Sequence, residues 1–181
     1  MRKEKCLEIL IDAFKDNRSV QFVVKQDDKK EERLKVLMEY SYWKATNFGT
    51  VYFIKEENAC AFVIDSTKNK FSFHSVLWDL KLIFSCIGLF NLSRVLKREK
   101  ILKTFHPKEK FYHLWYIGVT EEYQGKGIGS ALMNEILSDC KDAPIHLETS
   151  NEKNFLFYER LGFEKLIDLQ QGEFILRMFK K

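Results

Sequence analysis

A strand that runs through a glycine-rich turn into a helix confines this chain more than any other feature of its 181 residues. His113-Leu-Trp-Tyr-Ile-Gly-Val119 is an apolar run and reads as a buried strand. Thr120-Glu-Glu-Tyr123 makes the turn. Gln124-Gly-Lys-Gly-Ile-Gly129 then opens a segment in which Ile128, Leu132, Met133, Ile136 and Leu137 recur at helical spacing. The first N–H groups of a helix have no partner inside it, and the helix dipole favours negative charge there. Glycines let that backbone approach an anion without a Cβ in the way. The expected ligand is a phosphate or pyrophosphate.

Two commoner phosphate motifs fail on spacing. A P-loop needs a glycine five residues before its Gly-Lys pair and a Ser or Thr after the lysine. Here Gly125-Lys126 has Thr120 at the first position and Gly127 at the second. The dinucleotide fingerprint needs a third glycine where this chain has Ser130. What remains is Gln-x-x-Gly-x-Gly, from Gln124 through Gly127 to Gly129, which resembles the acyl-CoA pyrophosphate loop of the GNAT N-acetyltransferase superfamily. The later run His146-Leu-Glu-Thr-Ser-Asn-Glu-Lys-Asn-Phe-Leu-Phe-Tyr-Glu-Arg-Leu-Gly-Phe163 is similar to that superfamily's strand and Asn-bearing helix ending in Tyr-x-x-x-Gly-Phe. With His106-Pro-Lys-Glu109, the run from His113 to Phe163 is especially similar to puromycin N-acetyltransferase and its relatives. It covers a little under a third of the chain.

The resemblance implies an α/β fold with a mixed, mostly antiparallel central sheet, flanked by helices and splayed at the cofactor strand. It implies acetyl-CoA as cosubstrate, no metal, and direct attack of a primary amine on the thioester. Gly125, Lys126, Gly127, Ile128, Gly129 and Ser130 would hold the pyrophosphate, with Gln124 fixing the turn. Ile117, Gly118 and Val119 would pair with the pantetheine arm as if it were an added strand. Tyr158 matches the superfamily tyrosine near the cofactor sulfur. A phenol of pKa ~10 is a reasonable general acid for a thiolate whose thiol has pKa ~8.5. Asn154 is preferred for the cofactor and Asn151 as a helix cap. The superfamily puts no single residue type in the role of base. His113, at the start of the cofactor strand, and Glu148, in the next strand, are the candidates, and an ordinary strand-end histidine reads equally well.

The acceptor is not legible. Similarity to the puromycin enzyme suggests a small-molecule amine, and the aromatic residues of 34–53 and 71–90 suit an aromatic or aliphatic one as well as they suit a core. Two alternatives stand beside this reading. One is a transferase using a longer acyl-CoA, and the other is a non-catalytic acyl-CoA-binding or interaction module.

Composition bounds the rest. A 45% apolar content with 16 Phe excludes disorder, and a net charge of +4 describes a solvated surface better than a nucleic-acid footprint. Cys6, Cys60, Cys86 and Cys140 lie among apolar neighbours with no zinc spacing, which predicts reduced core thiols. The N-terminus lacks an apolar signal region, which with the reduced thiols predicts a cytoplasmic protein. The partners expected are no nucleic acid and no membrane, for a monomer or homodimer.

In order, residues 3–16 predict a helix, Val20–Lys25 a strand or extended linker, and 27–48 a second helix closed by Gly49 in the usual C-terminal manner. Val51–Ile54 and Ala59–Ile64 predict a hairpin turning at Lys55–Asn58. Phe73–Phe90 is strongly apolar, but its uninterrupted part is well short of the ~20 residues of a span. It predicts a buried helix, or a hydrophobic lid over an acceptor pocket. Residues 91–105 predict a basic amphipathic helix ended by Pro107, with a membrane-surface or nucleic-acid role as its minor reading. Glu164–Leu169 and Phe174–Phe179 predict the final strands. The whole, 1–181, is expected to be one domain. Its variable acceptor side would be 1–105, with a helical insertion over 73–105, and its acetyl-CoA-binding half 106–181.

Overall fold

The computed structural model describes residues 2–54, 58–68 and 72–181. The N-terminal half runs α1 (Arg2–Phe14), α2 (Arg18–Val23), α3 (Lys30–Phe48), β1 (Gly49–Ile54), β2 (Ala59–Asp65), α4 (Phe73–Leu82) and α5 (Leu89–Lys103). The C-terminal half runs β3 (Tyr112–Val119), α6 (Ile128–Asp139), β4 (Ile145–Thr149), α7 (Phe155–Arg160), β5 (Glu164–Gln171) and β6 (Phe174–Lys180). The strands form one sheet in the order β1-β2-β3-β4-β6-β5, in which only the β3–β4 contact is parallel. This is the mixed, mostly antiparallel sheet that the resemblance implies.

Helices cover both faces, and each forms where apolar residues return every three or four positions. On α3, Leu34, Leu37, Met38, Ser41, Ala45 and Phe48 are buried, and they pack with α1 on one face. On α6, Ile128, Leu132, Met133 and Ile136 are buried against the other. All seven residues of β2 are buried because neither of its faces meets water. Its Cys60, Phe62 and Ile64 join the α1–α3 side, and Ala59, Ala61 and Val63 the α6 side. All four cysteines are buried and unpaired.

Three expectations need correction. Val20–Lys25 is not a strand: Arg18–Val23 is helical, started by Asn17, whose side chain accepts a hydrogen bond from the Val20 N–H at 3.1 Å. Val24 is extended after the helix, and the next N–H, that of Lys25, reaches the Cys86 carbonyl at 3.0 Å. The β-branched side chains suit a strand, but the cap and the packing of Phe22 beneath α5 decide for a helix.

Gly49 does not end α3 in a left-handed turn. Its φ of −168° is extended backbone, and it is the first residue of β1. The glycine is required by contact, since a Cβ there would lie 1.9 Å from the Val63 carbonyl oxygen.

The Phe73–Phe90 segment is not a buried helix. α4 has no buried residue, a π-helical turn follows over Ile83–Ile87, and Gly88 breaks the run at φ 75°. Only Cys86 and Ile87 are buried, because the segment lies across the edge of the α1–α3 layer with one side to solvent. The hairpin joins β1 to β2 in the expected register, Gly49 opposite Ile64; its turn at Lys55–Glu57 lies outside the described residues.

Candidate active site

The middle of the sheet opens. β3 and β4 pair only through Tyr112 with Ile145 and His113 with His146, and beyond those positions the two strands part. A bulge sharpens the divergence. Phe62 faces Tyr116 and Val63 faces Leu114, so Trp115 has no opposite residue on β2. Trp115 and Tyr116 therefore both reach the α1–α3 side, while Leu114 and Ile117 reach the α6 side. The result is a V-shaped gap whose inner edge is the unpaired backbone of the second half of β3. Gly118 sits on that edge and admits α1, for a Cβ there would meet Leu10 Cδ2 at 2.9 Å.

The turn after β3 lies at one end of the gap. The Gln124 side chain donates to the Val119 carbonyl at 3.0 Å and folds the loop back on its strand. Gly125 and Gly127 have φ of 75° and 83°, and a Cβ on either would meet nothing within 4 Å. Positive φ explains why glycine is there, and the open space is a cradle that a side chain would fill. The first helical bond of α6 runs from the Ala131 N–H to the Gly127 carbonyl at 3.0 Å. Among the described residues, the N–H groups of Gly125 to Ser130 find no acceptor within the protein. Unmet donors at a helix start are what a phosphate fits. Lys126 lies over the Tyr123 ring at 5.0 Å, exposed beside the cradle.

Tyr158 lines the same cleft from α7. Its ring packs against Phe157, Phe163 and Phe179 at centroid distances of 5.1, 5.7 and 5.8 Å. Burial pushes its phenol well above the ordinary range, so it stays protonated. Asn151 accepts from the Lys153 N–H at 3.2 Å and caps the turn that leads into α7. Asn154 makes no such cap, and it too lines the cleft.

At the other end of the gap, where β3 and β4 separate, stands a cluster of ionisable groups. His113 Nε2 and Glu148 Oε2 are 2.6 Å apart, and the other carboxylate oxygen is 3.4 Å from His106 Nε2. His146 lies 5.5 Å from the His106 ring, edge to face. Burial works to raise the Glu148 pKa, but the charge and hydrogen bonds of His113 and His106 hold it well below the carboxylate range. Burial likewise presses against a charged His113, and the Glu148 charge and hydrogen bond outweigh it, so this imidazole sits above its ordinary 6.5. His146 has no such partner: burial, then the charge of His106, pushes it down to about 4.

Farther along, the cleft is walled by α3, α4 and α5. The Tyr40 hydroxyl donates to Asp79 Oδ1 at 2.7 Å, and Lys44 reaches that hydroxyl at 3.4 Å while lying over the Trp115 ring at 5.5 Å. Burial holds the Lys44 ammonium below its ordinary value, with Asp79 and Glu99 opposing. Ile83, Ile87 and Leu92 complete an apolar wall. Cradle, gap, histidine cluster and wall form one continuous cleft of about 1220 Å³.

His113 and Glu148, considered as alternatives from the sequence, are thus partners in one hydrogen bond. His106 is the residue that sequence reasoning passed over. It lies in the connection before β3, and only the β3–β4 pairing brings it to a carboxylate 42 positions away. Among the described residues no group of three or more His, Cys, Asp or Glu could hold a metal ion.

Residues 91–165 match the acetyltransferase (GNAT) domain family. N-alpha-acetyltransferase RimI of Mycobacterium tuberculosis is 35% identical over 57 residues, which is 30% of this chain and 36% of that protein's length. Of solved structures, the histone acetyltransferase HPA2-related protein of Corynebacterium glutamicum superposes with a TM-score of 0.72 at 21% identity, covering 99% of this chain and 90% of that one. An N-acetyltransferase from Staphylococcus aureus Mu50 gives 0.56 at 14%, covering 99% and 97%. Residues 91–165 are therefore similar to a GNAT acetyltransferase domain, and the chain as a whole has the fold of these solved acetyltransferases.

Proposed function

We propose that this protein is an acetyl-CoA-dependent N-acetyltransferase acting on a primary amine of a small molecule. The observation that carries the reading is the single cleft that joins an anion cradle to a buried His113–Glu148 pair through the gap between β3 and β4. The cofactor fits the residues present. Gly125, Lys126, Gly127, Ile128, Gly129 and Ser130 offer open space and unmet N–H donors to a pyrophosphate. The free edge of β3 at Ile117, Gly118 and Val119 offers backbone groups to the pantetheine amides. Bound acetyl-CoA supplies the acetyl group as a thioester activated for aminolysis.

In this reading His113, in its neutral form, takes a proton from the attacking amine, and Glu148 steadies the imidazolium that results. A β3 N–H polarises the thioester carbonyl as charge develops on its oxygen. Tyr158, kept protonated by burial, gives its proton to the departing sulfur. Asn154 contacts the cofactor arm, and Asn151 holds the turn before α7. The apolar wall of α4 and α5 receives an aliphatic or aromatic amine.

The test is calorimetric titration of acetyl-CoA into wild type and into Gly127→Glu, followed by an amine screen with thiol detection. Micromolar binding that the folded variant loses, followed by amine-dependent thiol release, supports the reading. A well-folded wild type that binds no acetyl-CoA sinks it. Binding without turnover on any amine leaves a cofactor-binding module, and faster turnover with longer acyl donors reassigns the acyl group.

A further inference from the structure

The exposed large apolar side chains of this protein are concentrated on one short segment. Phe84, Leu89 and Phe90 flank the bend at Gly88 and are 62, 64 and 100% exposed. Phe73, Leu77 and Leu80 continue the surface along α4, and Leu96 extends it along α5. The one other large apolar side chain exposed to this degree among the described residues is Leu156. Exposed apolar side chains concentrated on one segment mark an interaction site.

These helices are not loosely attached. Trp78 stacks on Trp43 of α3 at 5.6 Å, and Lys81 pairs with Glu39 at 3.1 Å. Arg94 and Arg98 donate to the Phe22 and Ser19 carbonyls, and both guanidinium groups lie over the Phe22 ring. The inner side is committed to the protein, and the apolar residues face outward with the segment already anchored.

Charge accompanies the apolar surface. Residues 73–103 hold six Lys or Arg against Asp79 and Glu99, an excess of four that equals the net charge of the entire chain, +4. Lys97, Lys100 and Lys103 are exposed, and among the described residues none of them forms an ion pair. Two copies meeting through this face would bring both excesses together, which disfavours a symmetric dimer here. An anionic surface with an apolar interior satisfies both features at once.

We propose that α4, the bend at Gly88 and α5 form a docking surface for an anionic lipid bilayer. Phe84, Leu89 and Phe90 enter the acyl boundary, and Lys97, Lys100 and Lys103 meet the headgroups. No single helix here is long and apolar enough to cross a membrane, and Phe73–Ile87 and Leu89–Lys103 are bent by 115°. Each arm of 15 residues is about 22 Å long, short of the ~30 Å hydrocarbon core, so the pair lies in the interface. The expectation of no membrane took Phe73–Phe90 as too short to span and therefore as buried, and burial is what the fold does not provide. Because the apolar wall of the cleft, Ile83, Ile87 and Leu92, belongs to the same bent segment, bound protein would hold its acceptor entrance at the lipid surface.

The experiment is flotation of the full chain with vesicles of phosphatidylcholine alone or mixed with phosphatidylglycerol, at low and high salt. Wild type is expected to float with the anionic vesicles and to be released by salt. Phe84→Ser/Phe90→Ser and Lys97→Glu/Lys100→Glu should each lower partitioning by more than about tenfold, since one basic side chain near the surface is worth about fivefold. Circular dichroism and acetyl-CoA titration establish that each variant is folded. Failure of folded wild type to float with anionic vesicles overturns the proposal. So does self-association in sedimentation that Phe84→Ser/Phe90→Ser abolishes, which would give this face to a second copy.

Discussion

His113 and Glu148 stand on neighbouring strands that stay paired for only two residues, yet their side chains meet at 2.6 Å where the strands part. Glu148 thereby fixes the imidazole and raises its proton affinity against the opposing effect of burial. In the proposed mechanism the neutral imidazole is the base, so acetylation should rise with pH through a midpoint above 6.5. In Glu148→Gln the support is lost and burial dominates, so the midpoint should move to lower pH. Thiol release with one amine across pH 5 to 9 measures both profiles, and the amine's own titration cancels in the comparison. An unmoved midpoint would separate His113 from the chemistry.

Tyr158→Phe removes a hydroxyl that has no hydrogen-bond partner within the protein among the described residues and keeps a ring packed by three others. Thermal stability should change by less than about 0.5 kcal/mol. Turnover should fall by about a hundredfold or more with little change in the KM for acetyl-CoA. An equal rise in KM with unchanged turnover would make the residue part of the binding surface only.

Gly127 and Gly129 should respond to alanine in opposite ways. Gly127 has φ of 83°, so alanine there should destabilise the fold by about 1–2 kcal/mol and also weaken acetyl-CoA binding. Gly129 is helical, and a Cβ would meet its nearest neighbours at an ordinary 3.9 Å. Gly129→Ala should raise stability by up to about 1 kcal/mol while still lowering affinity, because the methyl enters the cleft beside Val119 and Phe157. Paired melting and calorimetry decide this, and undiminished affinity in Gly129→Ala would move the pyrophosphate elsewhere.

Gly49→Ala tests a close approach rather than backbone strain. Alanine adopts φ of −168° freely, but its methyl would sit 1.9 Å from the Val63 oxygen and 2.9 Å from Ile64 Cα. Backbone atoms cannot swing aside as a side-chain end can. Urea denaturation should show a loss of about 3 kcal/mol or more. A loss under about 1 kcal/mol would mean that β1 shifts freely along β2.

Features legible in the sequence are those whose cause is local. Gly125 and Gly127 mark positions that need positive φ, and Ile128, Leu132, Met133 and Ile136 repeat at the period of the helix they form. The strand before them is legible as an apolar run, but no local rule foretells its bulge at Trp115. Asn151 was readable as a cap because capping acts over two or three residues. Val20–Lys25 carries β-branched residues that suit a strand, and the packing of Phe22 beneath Arg94 and Arg98, which no local signal marks, holds it helical.

The amino-acid order by itself determined the strand, the glycine cradle and the helix from His113 to Leu137, since backbone stereochemistry and hydrophobic period write themselves into neighbouring residues. It also determined the sheet class, through the resemblance that those residues carry. Tertiary structure alone decided that His113, Glu148 and His106 share hydrogen bonds, because their meeting depends on the register of His113 against His146 and on strands that then separate. It decided too that Phe84, Leu89 and Phe90 face water. An apolar run states that burial is favourable, but whether a partner surface is present to bury it depends on where the rest of the chain has gone.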